Sequence, residues 1–124
     1  MAENERPICI VIDNGSGICK AGFSGNENPS TVFPTVVARP DDGSDAVYIG
    51  HEAQARRGSC TLSYPVHEGK VCNWEDMTRI WRSVYEKDLR VQVQDFPALI
   101  TEVPLNHKEN RAKMAQICFE ELDI

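Results

Sequence analysis

The sequence predicts an α/β fold, a small mixed sheet with flanking helices. Three observations predict it. First, an apolar run, Ile8-Cys-Ile-Val-Ile12, leads into Asp13-Asn14-Gly15-Ser16-Gly17, and a second apolar run returns from Ile18 to Phe23. That is the pattern of a strand, a tight turn and a returning strand, with Asn14-Gly15 as the turn signal. Second, Asn73 to Glu86 repeats apolar residues at helical spacing. Third, Ala98-Leu-Ile-Thr-Glu-Val103 reads as another buried strand. A helix then crosses from the early strands to a later one, and the crossover rule places that strand parallel to the first.

The elements follow in order. Residues 24–30 are a turn, rich in Gly, Asn and Pro. Thr31 to Arg39 is a third strand with Pro34 inside it. Proline cannot donate to a ladder, so this strand borders the sheet or leaves it near Pro34. Pro40 to Asp45 is an exposed polar loop, and Ala46 to Gly50 a short strand. His51 to Arg57 suits a short helix closed by Gly58. Ser59 to Cys72 reads as irregular, with turn signals at Tyr64-Pro65 and Glu68-Gly69. Asn73 caps the central helix, whose apolar face is Trp74, Met77, Ile80, Trp81, Val84 and Tyr85. That stripe is core packing rather than a cofactor box. Phe96 to Val103 is the fourth strand, ended by Pro104. Asn106 with Glu109 forms a second capping box, opening a helix from Lys108 to Leu122 with Met114, Ile117, Cys118 and Leu122 as its apolar stripe. No further strand follows, so the fourth strand is expected to carry an open edge and the last helix to be half covered.

Bulk properties narrow the function classes. The chain has 124 residues, 41% hydrophobic and 26% charged, with a net charge of −6. An acidic chain without a basic cluster argues against nucleic acid or an anionic membrane as main partner. No apolar run approaches the roughly 18 residues of a membrane span. The start, Met-Ala-Glu-Asn-Glu-Arg, does not read as a signal peptide. Five cysteines, an odd number with no Cys-x-x-Cys pair, read as reduced thiols of the cytosol or nucleus. The three histidines are far apart in sequence and show no metal-ligand spacing.

The chemistry concentrates at residues 13–20. Gly15 and Gly17 are expected to turn the backbone at φ > 0 and to let a ligand approach the amides. Successive N–H groups in such a turn form a nest for an anion. Ser16 adds a hydroxyl and Lys20 a charge on the outgoing strand. Asp13, at the end of the first strand, stands where a phosphate-bound divalent cation needs a carboxylate, directly or through water. Taken alone, the same five residues are a hairpin turn that need bind nothing. No Gly-Lys-Ser/Thr opens a helix, so this is not a Walker loop.

At this point a family resemblance appears. Ile12-Asp-Asn-Gly-Ser-Gly-Ile-Cys-Lys-Ala-Gly-Phe23 resembles the first phosphate loop of actin. The likeness continues in colinear order through Val32-Phe-Pro-Thr-Val-Val37, Tyr48-Ile-Gly-His-Glu-Ala-Gln54, Leu62-Ser-Tyr-Pro65, Asn73-Trp-Glu-Asp-Met77, Ile80-Trp81, Leu99-Ile-Thr-Glu102 and Met114-Ala-Gln-Ile117. It covers nearly the whole chain. Sugar kinases and chaperone ATPases share the strand-turn-strand plan but not the segments from Tyr48 to Trp81.

The resemblance implies a partial actin fold built on a ribonuclease-H-like mixed sheet. Residues 1–38 and 67–124 would form part of subdomain 1, and residues 39–66 an inserted, shortened subdomain 2. Asn14, Gly15, Ser16, Gly17, Ile18 and Lys20 would hold the phosphates of ATP or ADP, and Asp13 would hold Mg²⁺ or Ca²⁺ through water. Cytoplasmic, cytoskeletal, ATP-linked filament assembly is the implied function, with actin subunits or actin-binding proteins as partners and neither nucleic acid nor membrane insertion. The chain matches roughly the first third of an actin. The second phosphate loop and the residues that position the attacking water belong to later segments of the family. Phosphoryl transfer depends on positioning from both sides of a cleft, so ATP hydrolysis by this chain alone is not expected. The Pro40 to Val47 loop is shorter than in conventional actin and lacks its inserting apolar residues, which argues against ordinary longitudinal polymerisation. The alternative reading is a truncated, non-catalytic interaction module that binds actin or actin-binding proteins.

Overall fold

The computed structural model describes residues 7–102 and 106–124. The first strand, β1 (Ile10–Asn14), pairs antiparallel with β2 (Ile18–Phe23), and β2 pairs antiparallel with β3 (Thr31–Pro34). The later strand β9 (Ala98–Ile100) lies parallel to β1, with Ile10 opposite Ala98 and Ile12 opposite Ile100. The sheet order is therefore β3-β2-β1-β9, with β3 and β9 at its edges. The parallel pairing expected of the crossover is present. The first strand starts two residues later than expected, and Ile8 lies outside it, half exposed.

The expected strand from Thr31 to Arg39 is two strands. β3 ends at Pro34, and β4 (Val37–Pro40) opens a second sheet between β5 (Tyr48–Ile49) and β6 (Cys60–Ser63). The segment expected to be irregular holds β6 and a hairpin of β7 (Val66–His67) with β8 (Lys70–Val71). Glu68 and Gly69 turn it with φ of 51° and 80°, the doubly left-handed geometry that matches strand twist. Strands this short leave too little periodicity to read from sequence. The short helix α1 (His51–Ala55) stops before Arg56. Gly58 has no left-handed φ and does not close it.

The helix α2 (Trp74–Ser83) begins where expected. Asn73 Oδ1 accepts the Asp76 amide at 3.1 Å. It runs on as a π-helical stretch over Val84–Leu89, and a 3₁₀ turn at Val93–Asp95 leads into β9. The last helix α3 (Lys108–Glu120) starts after His107 with no side-chain cap. The expected Asn106–Glu109 box is not formed. Asn106 instead donates to Glu102 and accepts from Asn110, both at 3.3 Å. Val103 and Pro104, expected to end the fourth strand, lie outside the described residues.

One sheet face builds the core. Ile10, Ile12, Cys19, Ala21 and Phe33 meet Met77, Ile80, Trp81, Val84 and Tyr85 of the central helical segment and Ile117, Cys118 and Leu122 of the last one. All six residues of the expected α2 stripe pack here, Trp74 partly. The opposite sheet face is open: Ile18, Val32 and Leu99 are 53%, 45% and 60% exposed. A smaller core joins Val36, Ala38, Ala53 and Cys60.

Burial has a chemical consequence. It pushes the Cys19 thiol from 9.0 up to about 12, with Asp13 and Asp88 adding to the shift. It pushes the Tyr85 phenol from 10.0 up to about 12, with Cys118 adding. The Tyr85 hydroxyl has no partner among the described residues. Well below pH 9 both groups are neutral whether the chain is folded or not. Above that, the unfolded chain loses protons the folded chain retains. Stability present below pH 9 is therefore lost as pH rises toward 12, by at most roughly 1.4 kcal/mol per pH unit per group. Urea midpoints measured from pH 8 to 11 should fall, and Tyr85→Phe should flatten the fall above pH 10. A midpoint independent of pH would contradict this.

Candidate functional site

The turn between β1 and β2 is the candidate site. Asn14 pairs with Cys19 in the ladder, and the Gly15 amide donates to the Ile18 carbonyl at 3.1 Å. The central turn residues are therefore Ser16 and Gly17, two places further on than the Asn14-Gly15 signal suggests. Neither Gly15 nor Gly17 has a left-handed φ, contrary to expectation. Glycine is required at 15 for a different reason: a Cβ there would sit 2.3 Å from the Ile18 carbonyl oxygen. The narrow turn leaves no room for a side chain.

The turn is held from below. Thr35, fully buried, donates its hydroxyl to the Gly15 carbonyl at 2.8 Å, and its amide donates to the Gly17 carbonyl at 3.0 Å. The Ser16 and Gly17 amides donate to nothing among the described residues. The Ser16 hydroxyl accepts the Gly69 amide at 2.8 Å, which leaves its own proton free to donate outward. The β7–β8 hairpin thus leans on the turn through one bond.

Asp13 and Lys20 face each other across the β1–β2 ladder on the open sheet face, and both are exposed. No ion pair joins them among the described residues. Together they line a cavity of about 290 Å³ with Val11, Gly22 and the loop approaching Pro29. A strand alternates its faces, so Asn14 points the other way. Its Oδ1 accepts the Trp81 indole N–H at 3.1 Å, its Nδ2 donates to the Thr101 carbonyl at 3.3 Å, and its backbone amide donates to the Thr101 hydroxyl at 3.0 Å. Asn14 was expected among the phosphate ligands. All these groups are committed inside the fold, so it supports the turn rather than facing a ligand. Ile18 contributes its carbonyl to the turn and an exposed side chain to the open face.

A divalent cation was expected at Asp13 through water. Among the described residues no group of three His, Cys, Asp or Glu side chains could hold a metal ion. Asp13 offers one carboxylate, and Thr101 donates to its Oδ1 at 3.0 Å. A single carboxylate suits a hydrated cation that takes its remaining ligands from water and phosphate, the usual habit of Mg²⁺. The residues fit that arrangement and do not fit an all-protein cage.

Four supports of the turn were not read from the sequence: Thr35, Gly69, Trp81 and Thr101. Trp81 was placed in the core, correctly. Its buried N–H was a signal in itself, because a buried indole needs an acceptor.

These features define a mixed α/β chain with a tight hairpin turn, a lysine and a carboxylate on one open sheet face, and a parallel strand beside the first. The family model described as Actin matches residues 5–124. The chain belongs to the actin family. Its mixed sheet and flanking helices are consistent with a partial actin fold. No helix among the described residues is long and apolar enough to cross a membrane.

Proposed function

We propose that the β1–β2 turn is one wall of a nucleotide cleft, and that the chain serves ATP-linked cytoskeletal assembly in the cytoplasm. The observation that carries this reading is the placement of free Ser16 and Gly17 amides, the Ser16 hydroxyl, Lys20 and Asp13 about one turn. In this reading the two amides and the hydroxyl donate to phosphate oxygens of ATP or ADP. The Lys20 ammonium offsets their charge. Asp13 accepts from water bound to Mg²⁺ or Ca²⁺, and the cation supplies charge neutralisation of the phosphates. Gly15 and Thr35 hold the turn, and Asn14 anchors it to α2. The β4–β5–β6 sheet and its small core support a division into part of subdomain 1 and an inserted subdomain 2, and they draw Val36 to Ala38, ahead of the expected boundary at residue 39, into the inserted part.

The test is equilibrium binding of Mg-ATP to the purified chain, with Asp13→Ala as control. The expected result is saturable binding that Asp13→Ala weakens about tenfold, the scale of losing a group that supports a metal. A folded chain that binds no Mg-ATP would overturn the reading.

A second reading rests on the open sheet face. Exposed Ile18, Val32 and Leu99 beside a half-cleft favour a non-catalytic module that binds actin subunits or actin-binding proteins. Co-sedimentation with actin filaments, unaffected by Asp13→Ala, would favour it over the first.

A further inference from the structure

We propose that Thr101 is a positioning residue that fixes the Asp13 carboxylate and ends the β1–β9 ladder where the site opens; this rests on the nucleotide-cleft reading given above. The observation is a break in a regular pattern. In a parallel ladder the bonds are evenly spaced. The Ile10 amide donates to the Pro97 carbonyl at 2.8 Å, and the Thr101 amide donates to the Ile12 carbonyl at 3.0 Å. Continued by two residues, the pattern would send the Asn14 amide to the Thr101 carbonyl. Instead the Thr101 hydroxyl takes the Asn14 amide at 3.0 Å, and the carbonyl takes Asn14 Nδ2 at 3.3 Å.

A hydroxyl has one proton and two lone pairs. Because the Thr101 oxygen accepts from the Asn14 amide, its proton is available for another acceptor, and it goes to Asp13 Oδ1 at 3.0 Å. One hydroxyl thereby connects the backbone of Asn14 to the side chain of Asp13. Thr101 bonds to three consecutive residues, Ile12, Asp13 and Asn14. The carboxylate is exposed, so this bond adds little stability. Its effect is orientation: Oδ1 is held by Thr101, which leaves Oδ2 as the oxygen with no hydrogen-bond partner among the described residues. Trp81 holds the far side of Asn14, so the end of β1 is clamped between α2 and the residue after β9.

Thr101→Val keeps the shape and removes the hydroxyl. The Asn14 amide can then return to the regular ladder bond, and Asp13 is free to rotate. The Mg²⁺ concentration that gives half-maximal ATP binding should rise about tenfold. ATP affinity in EDTA, which depends on the turn amides and Lys20, should stay within twofold. Thr101→Ser should restore the Mg²⁺ dependence. In the ligand-free chain, the Asn14 amide resonance and its hydrogen exchange should change in Thr101→Val and not in Thr101→Ser. Should Thr101→Val fail to fold, Thr101→Ala is measured in the same way.

An unchanged Mg²⁺ dependence, or an equal loss of ATP binding with and without Mg²⁺, overturns the role of Thr101 while leaving the cleft reading intact. A folded wild-type chain that binds no ATP under either condition overturns both.

Discussion

Trp81→Ala is expected to cost about 3–5 kcal/mol, the usual loss for truncating a fully buried aromatic. Trp81 has no solvent exposure and sits where the sheet meets α2. Its removal opens a cavity under β1 and strips the Asn14 side chain of its indole donor. Domains of this size are stable by roughly 5–15 kcal/mol, so the loss is a large share of the whole. With a urea slope near 2 kcal/mol per molar, the midpoint should drop by about 2 M. Trp81→Phe refills most of the space and removes only the N–H. It should cost about 1–3 kcal/mol, close to the penalty of an unsatisfied buried acceptor. If Trp81→Ala shifted the midpoint by less than about 0.5 M, the core described here would be wrong.

Arg39→Ala has the next largest expected effect. Asp76 is fully buried near the start of α2, and both its carboxylate oxygens accept from the Arg39 guanidinium of β4. Hydrogen bonding to this carboxylate raises the guanidinium above its ordinary value. Without the arginine, Asp76 keeps the Asn73 side-chain amide at 3.1 Å and no cation. Removing one partner of a buried pair costs about 3–5 kcal/mol. Because the Arg39 side chain is 41% exposed, its truncation opens a path from solvent to the buried carboxylate, and a loss of about 2–3 kcal/mol is expected. Asp76→Asn should cost less, since it removes the buried charge while retaining an acceptor. A double-mutant cycle on Arg39 and Asp76, read by thermal or urea unfolding, should give a coupling above about 1 kcal/mol. A coupling near zero would place the pair among ordinary surface salt bridges.

The pair also marks what sequence could and could not reveal. Local rules worked where the chain signals over short distances. Six apolar residues at helical spacing announced the central helical segment and its buried face, though not the change to π-helical winding at Val84, and Asn73 announced where it starts. Pro34 announced where the third strand would leave its sheet. The apolar runs Ile8 to Ile12 and Ile18 to Phe23 announced a strand pair, but not that only one of its faces is buried, since Ile8 and Ile18 are half exposed. The turn from Asp13 to Lys20 that carries the candidate site was legible as a strand-to-strand turn, but not in its geometry. The Asn14-Gly15 pair carries the strongest hairpin signal. Yet Thr35 and Thr101, far from it along the chain, extend the ladder through both residues and move the turn to Ser16-Gly17. Such supports are polar contacts between distant segments, and nothing in the local pattern of either partner records them. The same holds for Arg39 and Asp76, which read separately as a strand-end cation and a helix-start anion. The Asn106–Glu109 box failed for a related reason: Glu102 and Asn110 offered Asn106 other partners.

The strand β4 faces two ways. Val37 belongs to the larger core, while its neighbours Val36 and Ala38 belong to the smaller one. Alternation along an extended strand permits this only in one register, since a slip of one residue would exchange the two sets. Neither sheet can therefore settle its packing before the other. Melting of the β5–β6 sheet would pull Val37 out of the main core, and loosening of the main core would release Val36 and Ala38. The two halves are mechanically geared, and the chain should lose its structure in one all-or-none step rather than shedding its smaller sheet first.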